Sequence, residues 1–351
     1  MAGHGARGRS GRRPTLEEVA VRAGVGRGTV SRVINGSPRV SDATRAAVEA
    51  AVAELGYVPN TAARALAANR TDAIALVVLE PEDRFFAEPY FSEMLRGVGA
   101  ELAETEKQLL LIFAGSYRER RRLAQYLAAH RVDGVLLVSV HVDDPLPDLL
   151  AQLEIPTVIS GPRSECEALP SVDSDNHGGG RSAVEHLIAR GRRRIATITG
   201  RLDMYGARRR VEGYRAALRS AGREVDEELI VPGDFTEEGG RRAMTHLLAC
   251  RPDLDAVFVE SDVMAAGARQ VLREAGRRIP DDVALVGYDD TAIARHMDPP
   301  LTSVRQPIEE MGRAMTVLLL EEIADRRPAA SRSLDRRQVV LPTELVERAS
   351  S

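Results

Sequence analysis

GVGRGTVSRVING, residues Gly24 to Gly36, carries four glycines in thirteen positions, a density typical of loops. Yet Val30, Val33 and Ile34 stand three and four residues apart, as on the buried stripe of a helix. The flanks resolve the conflict. Upstream, Thr15-Leu-Glu-Glu18 has the form of a capping box, and Leu16, Val19, Ala20 and Ala23 repeat with helical period. Gly24 then falls where a tight turn between helices needs positive φ. A second helix is expected from Gly26 to Asn35, with Gly36 as its C′ residue. Thr44, Ala47, Val48, Ala51, Val52 and Leu55 form the stripe of a third helix, ended by Gly56. Gly28 alone interrupts a helix, and its missing side chain would let the helix lie close to a surface such as a DNA groove.

Charge supports that surface. Residues 1–70 hold eleven arginines against five acids, so the rest of a chain of net charge −4 is strongly acidic. A basic end on an acidic body is the asymmetry of a protein that meets nucleic acid at one end. The second helix presents Arg27, Thr29, Ser31, Arg32 and Asn35, groups suited to base edges and phosphate oxygens. Helix, short glycine turn, polar-faced helix is the helix-turn-helix plan. A small three-helix bundle with a merely solvated face is the alternative.

From about residue 72 the pattern changes. Apolar runs such as Ile74–Leu79, Val135–Val140, Ile195–Thr199, Ala256–Val259, Val283–Val286 and Val339–Leu341 alternate with helical stretches, for example Phe91–Thr105 and Arg208–Ala221. Alternation of this kind implies parallel sheets covered by helices, and the number of runs suits two doubly wound halves. Between the two regimes Pro59–Asn69 is alanine-rich with few large apolar groups, a conditional helix.

Residues 15–68, from TLEEVAVRAGVGRGTVSRVING through LGYVPNTAARALA, closely resemble the DNA-binding region of the lactose/galactose-repressor family. The resemblance implies that the second helix enters the major groove, with Arg27, Gly28 and Arg32 at base-reading positions. It puts Thr15, Thr29, Ser31, Asn35, Ser41, Thr44 and Asn60 at backbone-contacting ones. The family usually has serine where Gly26 stands. Asn60–Ala68 corresponds to its hinge helix, whose Leu66 would wedge into the minor groove. One such module reads a half-site, so a homodimer on a pseudo-palindromic double-stranded operator is expected.

Residues 72–345 resemble the same family's effector domain, in stretches such as VDSDNHGGGRSAVEHLIARGRRRIATITG and VALVGYDDTAIARHMDPPLTSVRQP. The implied fold class is an all-α helix-turn-helix domain with a hinge helix, followed by a periplasmic-binding-protein-like (type I) α/β body of two doubly wound parallel-sheet subdomains. Expected boundaries are a basic arm over 1–13, the DNA-binding domain over 14–58, the hinge over 59–70 and the effector and dimerisation domain over 71–346. Within the last, 71–175 and 306–328 form one subdomain, and 176–305 and 329–346 the other.

Ligands in open parallel sheets settle beyond the carboxyl ends of strands, which here deliver Glu80, Ser139, Gly161, Ser261 and Asp289. By resemblance, Arg208 holds ligand hydroxyls or carboxylates, Asp289 opposes it, Phe235 stacks on a sugar ring, and Tyr90 and Phe91 cap the helix after the first strand. A long, aromatic-tipped loop over Glu80–Tyr90 favours a di- or oligosaccharide effector; a nucleoside or other metabolite is the alternative. The ending shortly after Leu345, without leucine heptads, favours a dimer.

Other classes find little support. There is no HExxH, GxSxG or P-loop, and GHGARG at Gly3–Gly8 matches GxGxxG without a preceding strand. Two cysteines, Cys166 and Cys250, and seven scattered histidines suggest neither disulfide framework nor metal site, and no cofactor is expected. With no apolar run near the roughly 20 residues of a membrane span and no secretory h-region, a cytoplasmic protein without membrane partner is expected, rather than an exported sugar-binding protein.

Overall fold

The structure is a computed structural model that describes residues 14–34, 37, 39–57, 71–325 and 338–351. The chain divides into two compact units, Met1–Thr71 and Asp72–Ser351.

The first unit holds α1 (Leu16–Ala23), α2 (Arg27–Ile34) and α3 (Asp42–Leu55). The capping box closes both ways: the Glu18 amide donates to Thr15 Oγ1 at 3.3 Å, and the Thr15 amide donates to Glu18 Oε2 at 2.7 Å. Gly24 ends α1 in the left-handed region (φ 66°), which glycine enters without steric cost. Val19, Ala20, Val30, Val33, Val48 and Ala51 make the small core.

In the second unit, β1 (Ala73–Val78), α4 (Glu82–Ala87), α5 (Pro89–Leu102), β2 (Gln108–Phe113), α6 (Tyr117–Ala128), β3 (Gly134–Val138), α7 (Leu146–Gln152), β4 (Thr157–Ser160) and β5 (Ser171–Ser174) build one half. The other follows with α8 (Asn176–Ala189), β6 (Ile195–Thr199), α9 (Tyr205–Ser220), β7 (Ile230–Pro232), α10 (Glu237–Cys250), β8 (Ala256–Val259), α11 (Asp262–Glu274), β9 (Ala284–Asp289), α12 (Ala292–His296) and β10 (Thr302–Arg305). The chain then returns through α13 (Ile308–Ala324) and β11 (Gln338–Leu341) and ends with β12 (Glu344–Val346). The sheets run β11-β5-β4-β3-β1-β2, all parallel, and β12-β10-β9-β8-β6-β7, where only the β10–β12 pair is antiparallel. Three crossings join the halves, after β5, β10 and β11. Branched and aliphatic side chains of buried strands fill both faces of each sheet, as parallel sheets under helices require.

Two expectations are corrected. Residues 338–341 do not join the second half: Val339–Leu341 pairs in parallel with β5 at the edge of the first sheet. Only after Pro342-Thr343 does the chain cross over, so that β12 lies against β10. An apolar edge strand carries no mark of which sheet it completes. Nor is Glu80–Tyr90 a loop. It contains α4, stabilised by Arg84 pairing with both Glu80 and Glu88 at i±4, and by Phe85 buried against Phe91 and Phe113.

Candidate nucleic-acid interface and ligand cleft

On α2, Arg27, Gly28 and Arg32 are exposed, while Thr29 and Ser31 are half-buried. Arg27 Nη1 lies 2.9 Å from Glu17 Oε1 in a solvated pair, and Arg32 Nε donates to the Gly28 carbonyl at 3.2 Å. Such exposed pairing is worth at most about 1 kcal/mol, so both guanidinium groups can be redirected to a ligand cheaply. Among the described residues a side chain at Gly28 would meet nothing within 4 Å, so their packing does not demand glycine there. Thr15 and Ser41 spend hydroxyl acceptors on capping α1 and α3, and Ser41 also bonds the Thr44 hydroxyl at 2.8 Å. Asn35, Asn60 and Leu66 lie outside the described residues.

In the second unit, a cavity of about 100 Å³ opens between the halves at the carboxyl ends of the strands. Tyr90, Ser139, Gly161, Phe235 and Asp289, expected there, line it. Three of them, Ser139 (φ 60°), Phe235 (φ 67°) and Asp289 (φ 102°), hold positive φ without being glycine. Strain of this kind, about 1–3 kcal/mol each, persists only where the surroundings fix it. After Asp289 the chain is pinned: the Thr291 amide donates to buried Asp262 at 2.7 Å, and the Asp290 carboxylate meets Arg305 and Arg348 at 2.8 and 2.6 Å.

Three expected residues are elsewhere. Arg208 is exposed and its Nε donates to the Leu202 carbonyl. Phe91 is fully buried in the first half's core. Ser261 caps α11, its hydroxyl accepting from the Met264 amide at 3.1 Å. The arginine in the cavity is Arg210. Gly180 brings α8 so close to α9 that a Cβ there would lie 2.4 Å from the Arg210 carbonyl. From that contact Arg210 donates through Nε to Asn176 Oδ1 (2.8 Å) and through Nη1 to the Glu260 carbonyl (2.7 Å).

Five further lining residues went unmarked in the sequence. Asn176 donates to Asp173 Oδ1 at 2.9 Å, and Gln306 donates to Asp289 Oδ1 at 2.6 Å. Arg84 arrives on α4 and Glu88 at the junction of α4 and α5, with the Arg84 guanidinium 5.3 Å from the centre of the Phe235 ring. Burial raises the Asp173 pKa to about 6 and the Glu88 pKa to about 7, against the pull of nearby arginines. Asp289 is raised as well, by burial and the neighbouring Asp262 charge, with Arg210 opposing. Carboxylates that accept hydrogen bonds from hydroxyl groups, a forked arginine donor, and the aromatic rings of Phe235 and Tyr90 together suit a polyhydroxylated ring. Among the described residues no helix is long and apolar enough to cross a membrane, and no group of acidic, histidine or cysteine side chains could hold a metal ion.

A helix-turn-helix unit carried on the same chain as a two-halved body with a cleft at its strand ends defines a ligand-responsive transcriptional regulator. Residues 15–60 match the family of bacterial regulatory proteins, lacI family, and residues 184–351 match the periplasmic binding protein-like domain. The chain is 52% identical over 97% of its length, and 98% of the relative's, to the HTH-type transcriptional regulator CelR of Thermobifida fusca. It is 36% identical to the ribose operon repressor of Escherichia coli K12, covering 96% of this chain and 99% of that one. Among solved structures, a CelR–cellobiose complex superposes with a TM-score of 0.76 at 50% identity, covering 97% of this chain and all of the other. A lac repressor dimer bound to operator and the anti-inducer ONPF superposes with a TM-score of 0.82 at 28% identity, over 97% and 99%. The chain belongs to the lacI family of bacterial regulatory proteins.

Proposed function

We propose that the protein is a homodimeric repressor that holds a pseudo-palindromic operator and is released by a neutral sugar bound in the cleft. The observation that carries the reading is the placement of buried Arg210, on α9, and half-buried Asp289, at the end of β9, in one cavity between two halves joined by three crossings. A ring held from both sides draws the halves together, and this closure changes the spacing of the paired DNA-binding segments. Coupling of about 1–3 kcal/mol, typical of such systems, would change operator affinity 5- to 150-fold.

In this reading Arg27 and Arg32 read base edges, with Thr15, Thr29, Ser31, Asn35, Ser41, Thr44 and Asn60 on the backbone and Leu66 in the minor groove. Arg210, rather than Arg208, holds the sugar with Asp289, and Phe235 and Tyr90 offer ring faces. Cellobiose is the first sugar to try, because the CelR relative of known structure is complexed with it. Two copies meet along the first half, where edge strand β2 leaves Leu111 exposed and Phe86, near Phe113 of the same strand, is 73% exposed. An uncovered aliphatic edge invites pairing or burial. The protein acts in the cytoplasm, on DNA, and carries out no chemistry.

The test compares binding to a symmetric operator and to a lone half-site, with calorimetric titration of a sugar panel. The proposal requires much tighter binding to the symmetric site and heat from at least one neutral sugar. Equal affinity for the two duplexes contradicts the dimer, and silence from every sugar contradicts the effector class.

A further inference from the structure

His141 follows β3 at the edge of the cavity, one residue beyond Val140 in its lining. Asp203, on the connection from β6 to α9, stands one residue before Met204 in the lining of the other half. Here the two halves touch. His141 Nδ1 lies 3.1 Å from Asp203 Oδ2, and the Val142 amide donates to the Asp203 carbonyl at 2.8 Å. On its other side the same ring meets Glu80 of its own half, with Nε2 3.2 Å from Oε1. The Nδ1 contact is an ion pair rather than an aligned hydrogen bond, so charge decides its strength.

Those two contacts select the form of the ring. Neutral imidazole has one N–H and one lone pair, so either tautomer would turn a lone pair on a carboxylate oxygen. Only the imidazolium offers a proton to both. The carboxylates are held in the ionised form that receives it. Burial pushes the Glu80 carboxyl up, but His141 and Arg84 outweigh it and hold the group below its usual range. Hydrogen bonds from Arg201, with the His141 charge added, hold Asp203 low as well. The other charged groups at this junction, among the described residues, are already engaged or lie outward. Arg84 of α4 is shared by Glu80 and Glu88, and Arg201 pairs with Asp203. On the histidine's own loop, Arg120 holds buried Asp144, and Asp143 is exposed.

We propose that His141 is a proton-operated clasp between the two halves, closing the edge of the cavity when charged and loosening it when neutral. Histidine changes charge between about pH 5 and about pH 8. Loss of the proton sets a lone pair against Glu80 or Asp203 and leaves the uncharged Val142–Asp203 hydrogen bond to join the halves there. The clasp is therefore complete in acid and lost as the pH rises. In the repressor reading above, closure releases the operator, so acid would act in the same direction as the effector. The clasp itself stands without that reading, and its test uses no ligand.

The chain carries its own probe sites. Cys166, between β4 and β5, and Cys250, at the end of α10, are its two cysteines, both exposed, one on each half. Nitroxide labels on this pair in the full-length protein, diluted with unlabelled chain, report the separation of the halves by pulsed electron resonance. From about pH 6 to about pH 8.5 the ratio of the close to the wide separation is expected to fall about two- to fivefold, the reach of a partly exposed ion pair. His141→Gln and Asp203→Asn should each show the high-pH ratio at both pH values. Wild-type distances that do not change with pH overturn the clasp. So does a His141→Gln protein that keeps the full pH response, because the raised carboxyls of Glu88, Asp173 and Asp289 would then drive it. An Asp203→Asn protein that responds like the wild type contradicts the contact across the halves, and closure that strengthens with rising pH contradicts the assigned charge.

Discussion

The guanidinium carbon of Arg210 sits 3.8 Å from the centre of the Tyr288 ring, and both side chains are buried. Stacked on one face and bonded to Asn176 and the Glu260 carbonyl at its edges, the fork is fixed before any ligand arrives. A preorganised fork binds without first losing rotamer entropy. Arg210→Lys keeps the charge but cannot reach both acceptors. Effector affinity should fall at least about tenfold, a loss of one or two charge-assisted hydrogen bonds, while ligand-free operator affinity stays within about twofold. Calorimetry and fluorescence anisotropy on one preparation measure the two quantities.

Phe235 owes its place to Gly200. A Cβ at that position would lie 1.9 Å from the tip of the ring, closer than any real contact. Gly200→Ala should therefore push Phe235 out of the cavity and weaken the effector as much as Phe235→Ala does. Overpacking should also cost about 1–3 kcal/mol of stability, visible in urea titration. A Gly200→Ala protein that binds the effector normally would remove Phe235 from the site.

The raised carboxyl pKa values have a thermodynamic consequence. Glu88 and Asp173, at about 7 and about 6, hold protons more tightly in the folded chain than in the unfolded one. Each adds stability that is complete below about pH 4 and lost as the pH rises through its folded pKa. The melting temperature of the unliganded protein should therefore fall between about pH 5 and about pH 8, and less steeply in Asp173→Asn. Asp282, lowered to about 2 by its hydrogen bonds from Arg278, titrates outside that window. A melting temperature that rises across the interval would mean these carboxyls are ionised in the folded state.

What the sequence disclosed, and what it hid, follows from local against tertiary signals. Caps are local: Thr15 with Glu18, Gly24 and Gly56 all stand where spacing alone puts them. The expected strands likewise came from continuous apolar runs. Resemblance points to Arg208, whereas helical phase points to Arg210. Ala207, Arg210, Val211, Tyr214, Ala217 and Leu218 form the buried stripe of α9, and Arg208 lies off it. The same test separates Phe91, in step with Met94 and Val98, from Tyr90. The Glu80, Arg84, Glu88 ladder was a readable helix signal inside a supposed loop. Asn176 and Gln306 had no such mark, because their partners stand 34 and 17 residues away in Arg210 and Asp289.

Gly28 separates folding from recognition. In an exposed helix interior glycine costs about 1 kcal/mol relative to alanine, and nothing among the described residues occupies the space its side chain would take. Gly28→Ala should increase hydrogen-exchange protection of the α2 amides and weaken or redirect operator binding. Arg27→Ala should lose about 1–3 kcal/mol of discrimination between operator and mismatched duplex, with little change in stability. Unaltered discrimination in both variants would mean α2 is not the reading helix.

Anisotropy of a labelled palindromic operator at fixed salt, titrated with protein with and without saturating cellobiose, tests the central claim most directly. The account predicts a 5- to 150-fold loss of operator affinity on adding the sugar, abolished in Asp289→Asn. Unchanged operator affinity at cellobiose concentrations that calorimetry shows to saturate the cleft would contradict it.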